Sequence, residues 1–92
     1  MSTQDKVWFI TGTSSGFGRE LALEALARGD RVVATARSPK SLDDLVQRAP
    51  ERVLALPLDV TKPEQIQSAV QEATQRFGAI DVLVNNAGYS VI

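Results

Sequence analysis

Apolar and polar residues alternate along this chain with two different periods. Four short apolar runs, Val7 to Thr11, Arg31 to Ala36, Val53 to Leu58 and Ile80 to Val84, read as buried strands. The segments between them follow helical spacing. From Gly16 to Arg28, the residues Leu21, Ala22, Ala25 and Leu26 fall on one face, and Gly29 sits where a C-terminal cap belongs. Pro39 and Ser41 mark a turn and a helix start, and Asp44 stands three residues after Ser41 in a loose version of a capping box. Leu42, Leu45 and Val46 supply the apolar face of that short helix. A third helix opens at Thr61-Lys62-Pro63-Glu64, with Pro63 near its first turn. Ile66, Ala69, Val70, Ala73 and Phe77 then recur at helical spacing, and Gly78 stops the helix.

The predicted order is therefore β-α-β-α-β-α-β. Helical crossovers between short apolar strands imply a parallel sheet with right-handed connections. The expected strand order is 3-2-1-4, the first half of a doubly wound, Rossmann-type α/β sheet that binds ligands beyond the C-terminal ends of its strands. At 92 residues the chain has room for one small domain. Its net charge of −1 offers no electrostatic attraction for nucleic acid or an anionic membrane. It has no Cys and no His, which removes thiol chemistry, disulfides, imidazole bases and the usual zinc ligands. No metal site is expected, and the composition is compatible with the cytoplasm. No apolar run approaches the ~20 residues that span a bilayer, and the first residues lack the basic and apolar regions of a secretory signal.

Candidate chemistry sits after the strands. Thr11-Gly12-Thr13-Ser14-Ser15-Gly16-Phe17-Gly18 joins the first strand to the first helix. A glycine-rich turn before a helix N-terminus brings main-chain N–H groups and a partial positive charge to bear on phosphate. No Gly-Lys-Ser/Thr ends the run, so it is not a nucleotide-triphosphatase loop, and Leu21 stands where a simple Gly-x-Gly-x-x-Gly would have its third glycine. Gly12 is expected to permit the tight turn, Gly16 a close backbone approach and Gly18 close helix–strand packing. Thr13, Ser14 and Ser15 would add hydroxyls and N–H groups for phosphate and ribose oxygens. A plain strand-to-helix connection is the alternative.

Three further candidates follow the later strands. Arg37 comes just past Ala36, where a dinucleotide sheet binding NAD would carry an acidic residue. An arginine there can fork onto a 2′-phosphate, with Ser38 and Lys40 as weaker assistants; otherwise it is a solvated surface residue. Asp59 could accept from an adenine amino group while the Val60 N–H donates to a ring nitrogen, or Asp59 could cap the turn that leads to Pro63. Asn85-Asn86-Ala87-Gly88 combines amides that bridge neighbouring strands with small residues that admit a close ligand, or is simply a polar strand-end turn.

Together these motifs resemble the short-chain dehydrogenase/reductase family, from Lys6 to about Ser90. The resemblance implies a dinucleotide cofactor held by Gly12, Thr13, Ser14, Ser15, Gly16, Phe17, Gly18, Arg37, Asp59, Val60, Asn86, Ala87 and Gly88. NADP is expected ahead of NAD, because family members that prefer NADP often carry a basic residue at the place of Arg37. Ser15 departs from the subgroup with a second basic residue inside the glycine loop, so selectivity rests on Arg37. The family transfers hydride between nicotinamide and an alcohol or carbonyl, using a Tyr-x-x-x-Lys pair helped by a serine and an asparagine. Here the one tyrosine is Tyr89, and no lysine follows it at that spacing. Residues 1–92 thus look like the cofactor-binding N-terminal half of such an enzyme, truncated before the catalytic region and inactive alone. Two alternatives stand beside that expectation: a non-catalytic dinucleotide-binding or sensing module, and a structural remnant. In a half sheet the fourth strand would be an unpaired edge presenting Val82 and Val84, which invites self-association and leaves an isolated chain marginally stable.

Overall fold

The computed structural model describes residues 5–14 and 16–86. The strands are short, and each of the first three feeds a helix: β1 (Val7–Ile10), α1 (Gly16–Ala27), β2 (Arg31–Ala36), a 3-10 turn (Pro39–Leu42) running into α2 (Asp43–Arg48), β3 (Val53–Pro57), α3 (Pro63–Phe77) and then β4 (Val82–Val84). The strands are parallel and ordered β3-β2-β1-β4, as the alternating pattern implied. Ile10 lies opposite Ala34 on one side and Val84 on the other.

The period-two alternation of the strands divides the core into two layers. On one face Ile10, Val32, Ala34 and Val53 pack under α1 and α2, which contribute Ala22, Ala25, Leu26 and Leu45. On the other, Val7, Phe9, Val33 and Leu56 pack under α3 through Ala69 and Ala73. The alanines matter because a small side chain lets the helix axis come close to the sheet. Burial of a side chain such as Phe9 stabilises the fold by about 1.5–3 kcal/mol.

Three local expectations are corrected. The helix after β2 is not opened by a capping box. It begins as a 3-10 turn at Pro39, so Ser41 lies inside the turn, where its hydroxyl donates to the Ser38 carbonyl at 2.7 Å, and Asp44 pairs with Arg19 of α1 instead. Strand β4 starts at Val82 rather than Ile80. Ile80 turns into the α3-side core, and Asp81 forms the adjoining rung with both its N–H, to the Val7 carbonyl, and its side chain, from the Val7 N–H at 2.8 Å. At the outer edge it is Leu83, 66% exposed, that stands bare, while Val82 and Val84 are half-buried. Alternation turns Val84 toward the α1 side, whereas Leu83 faces a stretch of α3 whose Ile66 and Val70 are themselves exposed.

Among the described residues, no helix is long and apolar enough to cross a membrane. None of them group as metal ligands either.

Candidate functional site at the C-terminal edge of the sheet

The glycine loop takes its shape from two left-handed residues and one forbidden side chain. Gly12 has φ 70° and Gly16 φ 67°, a region that other residues rarely adopt. Gly18 is buried for a different reason. A Cβ there would lie 2.3 Å from the Gly12 carbonyl oxygen and 2.8 Å from Nδ2 of Asn86. The expected close packing at Gly18 is thus packing of α1 against its own loop and the end of β4, rather than against a strand face. Asn86 braces this arrangement: its Nδ2 donates to the Gly12 carbonyl at 3.2 Å and its N–H to Thr11 Oγ1 at 2.8 Å. The first turn of α1 carries no acidic residue, whereas α2 begins with Asp43 and Asp44 and α3 has Glu64. Of the three α-helices, α1 is therefore the one whose first turn lacks a carboxylate to offset its positive end.

Thr13 does not present its hydroxyl outward as expected. It is fully buried, and both its N–H and its hydroxyl donate to the Thr35 carbonyl, at 3.0 and 2.9 Å. The chain needs that contact because β1 has ended and the loop would otherwise lose its grip on β2. Ser14, by contrast, is exposed.

A cavity of about 540 Å³ opens between the loop and the ends of β2 and β3, walled by Gly12, Ser14, Ala36, Arg37, Ser38, Ser41, Leu58, Asp59, Val60 and Thr61. Buried Ala36 and Leu58 give it an apolar floor. Arg37 is exposed and makes no ion pair or hydrogen bond among the described residues. Asp59 is divided between two tasks. Its Oδ1 accepts from the Thr61 hydroxyl at 2.6 Å and the Thr61 N–H at 3.0 Å, a local turn of the kind an Asx side chain makes. Its Oδ2 takes no hydrogen bond among the described residues. The Thr61 hydroxyl, then the Thr61 N–H, hold the Asp59 carboxyl below its ordinary range, with smaller help from the charges of Lys62 and Arg37. The turn is pinned further by the Asp59 N–H donating to Gln65 Oε1 at 2.8 Å.

Gly12, Ser14, Arg37, Asp59 and Val60 thus share one cavity, with Asn86 behind it. Phe17 is 67% exposed at the start of α1 and is not on the cavity wall. Ser15, Ala87 and Gly88 lie outside the described residues, as do Tyr89 and Ser90. Ser41, Thr61 and Thr35 were not singled out from the sequence as site residues. A threonine in an otherwise apolar buried strand was the available signal for Thr35, and the Asp-x-Thr spacing for Thr61. The set suits an adenosine dinucleotide: a first helical turn without a carboxylate, a loop turned by left-handed Gly12 and Gly16, a guanidinium unpaired among the described residues and a carboxylate oxygen over an apolar floor.

Comparison with known proteins agrees with that geometry. The family model described as short chain dehydrogenase matches residues 6–92. The chain belongs to this family. Short-chain dehydrogenases bind NAD(P). "Oxidoreductase BOA17" of Botryotinia fuckeliana is 50% identical over 86 residues, covering 92% of this chain and 31% of the relative. A crystal structure of a short-chain dehydrogenase from Streptomyces avermitilis superposes with a TM-score of 0.89 at 52% identity, over 96% of this chain and 32% of that one. The C-domain of a bacterial malonyl-CoA reductase, crystallised with NADP, gives 0.87 at 32% identity, over 94% of this chain and 15% of that one. The chain spans about a third of the length of the curated relatives it matches.

Proposed function

We propose that the cavity at the C-terminal edge of the sheet binds NADP(H), and that residues 1–92 are the dinucleotide-binding part of an oxidoreductase moving hydride between NADPH and an alcohol or carbonyl. The carrying observation is Arg37, whose guanidinium is unpaired among the described residues and lines the same cavity as the glycine loop and Asp59. In this reading Gly12, Ser14, Ser15, Gly16, Phe17 and Gly18 shape the pyrophosphate cradle at the α1 N-terminus. Arg37, with Ser38 beside it, takes the 2′-phosphate. Asp59 Oδ2 and the Val60 N–H address the adenine, and Asn86, Ala87 and Gly88 line the ribose beyond. The malonyl-CoA reductase domain solved with NADP supports the reading by its similarity over nearly the whole chain. When bound, the nicotinamide supplies the hydride. These residues bind and orient the cofactor, and turnover is not expected of them without a Tyr-x-x-x-Lys pair.

Calorimetric titration with NADPH and NADH tests this. A charge-assisted hydrogen bond contributes about 1.5–3 kcal/mol, so NADPH is expected to bind at least about tenfold more tightly than NADH, and Arg37→Ala to abolish the difference. Equal affinities in the wild-type chain would overturn the assignment. A second reading concerns β4, whose outer edge and bare Leu83 offer a place for another strand to pair. Self-association is its expected outcome; sedimentation of a single monomeric species at high concentration would contradict it.

A further inference from the structure

Thr13 and Thr35 are both fully buried, and neither reaches the cavity. They lie just past the last rung of the β1–β2 ladder, where Ile10 stands opposite Ala34. The Thr35 hydroxyl donates to the Ile10 carbonyl at 3.1 Å. The Thr35 carbonyl accepts the Thr13 N–H at 3.0 Å and the Thr13 hydroxyl at 2.9 Å. The seam between the two strands is thereby carried beyond their ends and into the glycine loop. Thr13 sits between Gly12 and Ser14 on one cavity wall, and Arg37 follows Thr35 by two residues on the other. One main-chain carbonyl joins the two walls.

A ligand that touches both walls at once depends on their separation, because a misplacement of about 1 Å is enough to weaken a bound geometry. A ligand that touches one wall does not. Two valines would fill the same space and satisfy the apolar surroundings, yet both positions carry a hydroxyl with a defined acceptor.

We infer that Thr13 and Thr35 are positioning residues that set the separation of the glycine loop from Arg37 and so tune the preference for a 2′-phosphorylated dinucleotide. The inference rests on the NADP(H) reading of the cavity. It assigns the two threonines no contact with the ligand; they act through the loop and through Arg37.

Three ligands separate this role from simple stabilisation: NADPH spans both walls, NADH lacks the group that Arg37 would hold, and adenosine 2′-monophosphate lacks the pyrophosphate. Thr13→Val and Thr35→Val keep the side-chain shape and remove the hydroxyl. Each is expected to weaken NADPH about tenfold, within the range of coupling between neighbouring groups, and to change NADH and adenosine 2′-monophosphate by less than about threefold. Thr13→Ser, which keeps the donor, is expected to restore NADPH binding. In an Arg37→Ala background the effect of Thr13→Val on NADPH should shrink to its effect on NADH. Equal losses across the three ligands, or an unchanged NADPH affinity in folded variants, would overturn the positioning role. Wild-type protein without a preference for NADPH overturns the underlying reading, and the positioning role with it; that failure is visible before any threonine is changed.

Discussion

The two ends of the parallel sheet carry similar residue types and treat them in opposite ways. At the N-terminal end, polar groups are consumed by the fold. Asp30 accepts the N–H groups of Asp5 and Lys6 on Oδ1, at 2.8 and 3.0 Å, and the Trp8 indole N–H on Oδ2 at 2.9 Å. Its own carbonyl takes the Arg52 guanidinium at 2.9 Å. Arg31 pairs with Asp5 at 2.8 Å and lies 5.2 Å from the centre of the Phe77 ring. At the C-terminal end, Arg37 has no partner among the described residues, Asp59 keeps one oxygen open, and the first turn of α1 has no carboxylate of its own. A closed polar network stabilises; an open one around a cavity is built for something that arrives later. Substitutions at the two ends should therefore separate stability from binding.

The largest effect is expected where the two roles meet. Gly18→Ala places a methyl 2.3 Å from a main-chain oxygen that cannot rotate away. Overpacking of this kind costs about 1–3 kcal/mol, and with the loop displaced NADPH affinity should fall by roughly 100-fold. Urea denaturation and calorimetry read the two losses; a variant with unchanged NADPH affinity would show that the loop's shape is not what holds the cofactor.

Asp30→Ala comes next. It leaves three part-buried donors without their acceptor, so a loss of about 2 kcal/mol is expected in urea unfolding. NADPH affinity of the folded protein should stay within about twofold of wild type, because no cavity residue moves. Despite the burial that opposes its ionisation, the Trp8 hydrogen bond and the Lys6 and Asp5 N–H groups hold the Asp30 carboxyl below its ordinary value. A carboxylate whose folded pKa lies below its unfolded one contributes stability above the unfolded value. It loses that contribution as pH falls through the folded value. Asp30→Asn should accordingly flatten the acid limb of a stability–pH curve, and an unaltered limb would remove Asp30 from this role.

Arg37→Ala inverts the pattern. It should weaken NADPH by about tenfold or more, leave NADH nearly unchanged, and shift the melting temperature little, since the side chain is exposed and makes no hydrogen bond or ion pair among the described residues. Arg19→Ala gives the smallest change. Its pair with Asp44 ties α1 to α2, but Asp44 is 57% exposed and its charge is screened by solvent, so only a slight lowering of the melting temperature is expected.

The strand order and the cavity were legible in the sequence because they follow from local signals: apolar runs, glycines and what comes just after each strand. Gly12, Arg37 and Asp59 could be placed on one edge by counting elements. Contacts distant along the chain were not legible. Nothing near Asp30 announces that its partners are Asp5, Lys6 and Trp8, more than twenty residues earlier. The place of Thr13 in the glycine loop reads as that of a ligand hydroxyl, but its orientation is set by Thr35 on another strand. Leu83 and Val84 are neighbours of equal hydrophobicity, and only the register of β4 against β1 decides that Leu83 is the bare one.

The division between the two ends is tested most directly by mapping main-chain amide chemical shifts during titration with NADPH. Gly12, Ser14, Gly16, Phe17, Gly18, Arg37 and Asp59 to Thr61 should move with the ligand, while Asp30, Arg31, Arg52 and Asp81 stay in place. Shifts concentrated at Asp30 and Asp81, or spread evenly over both ends, would contradict the account.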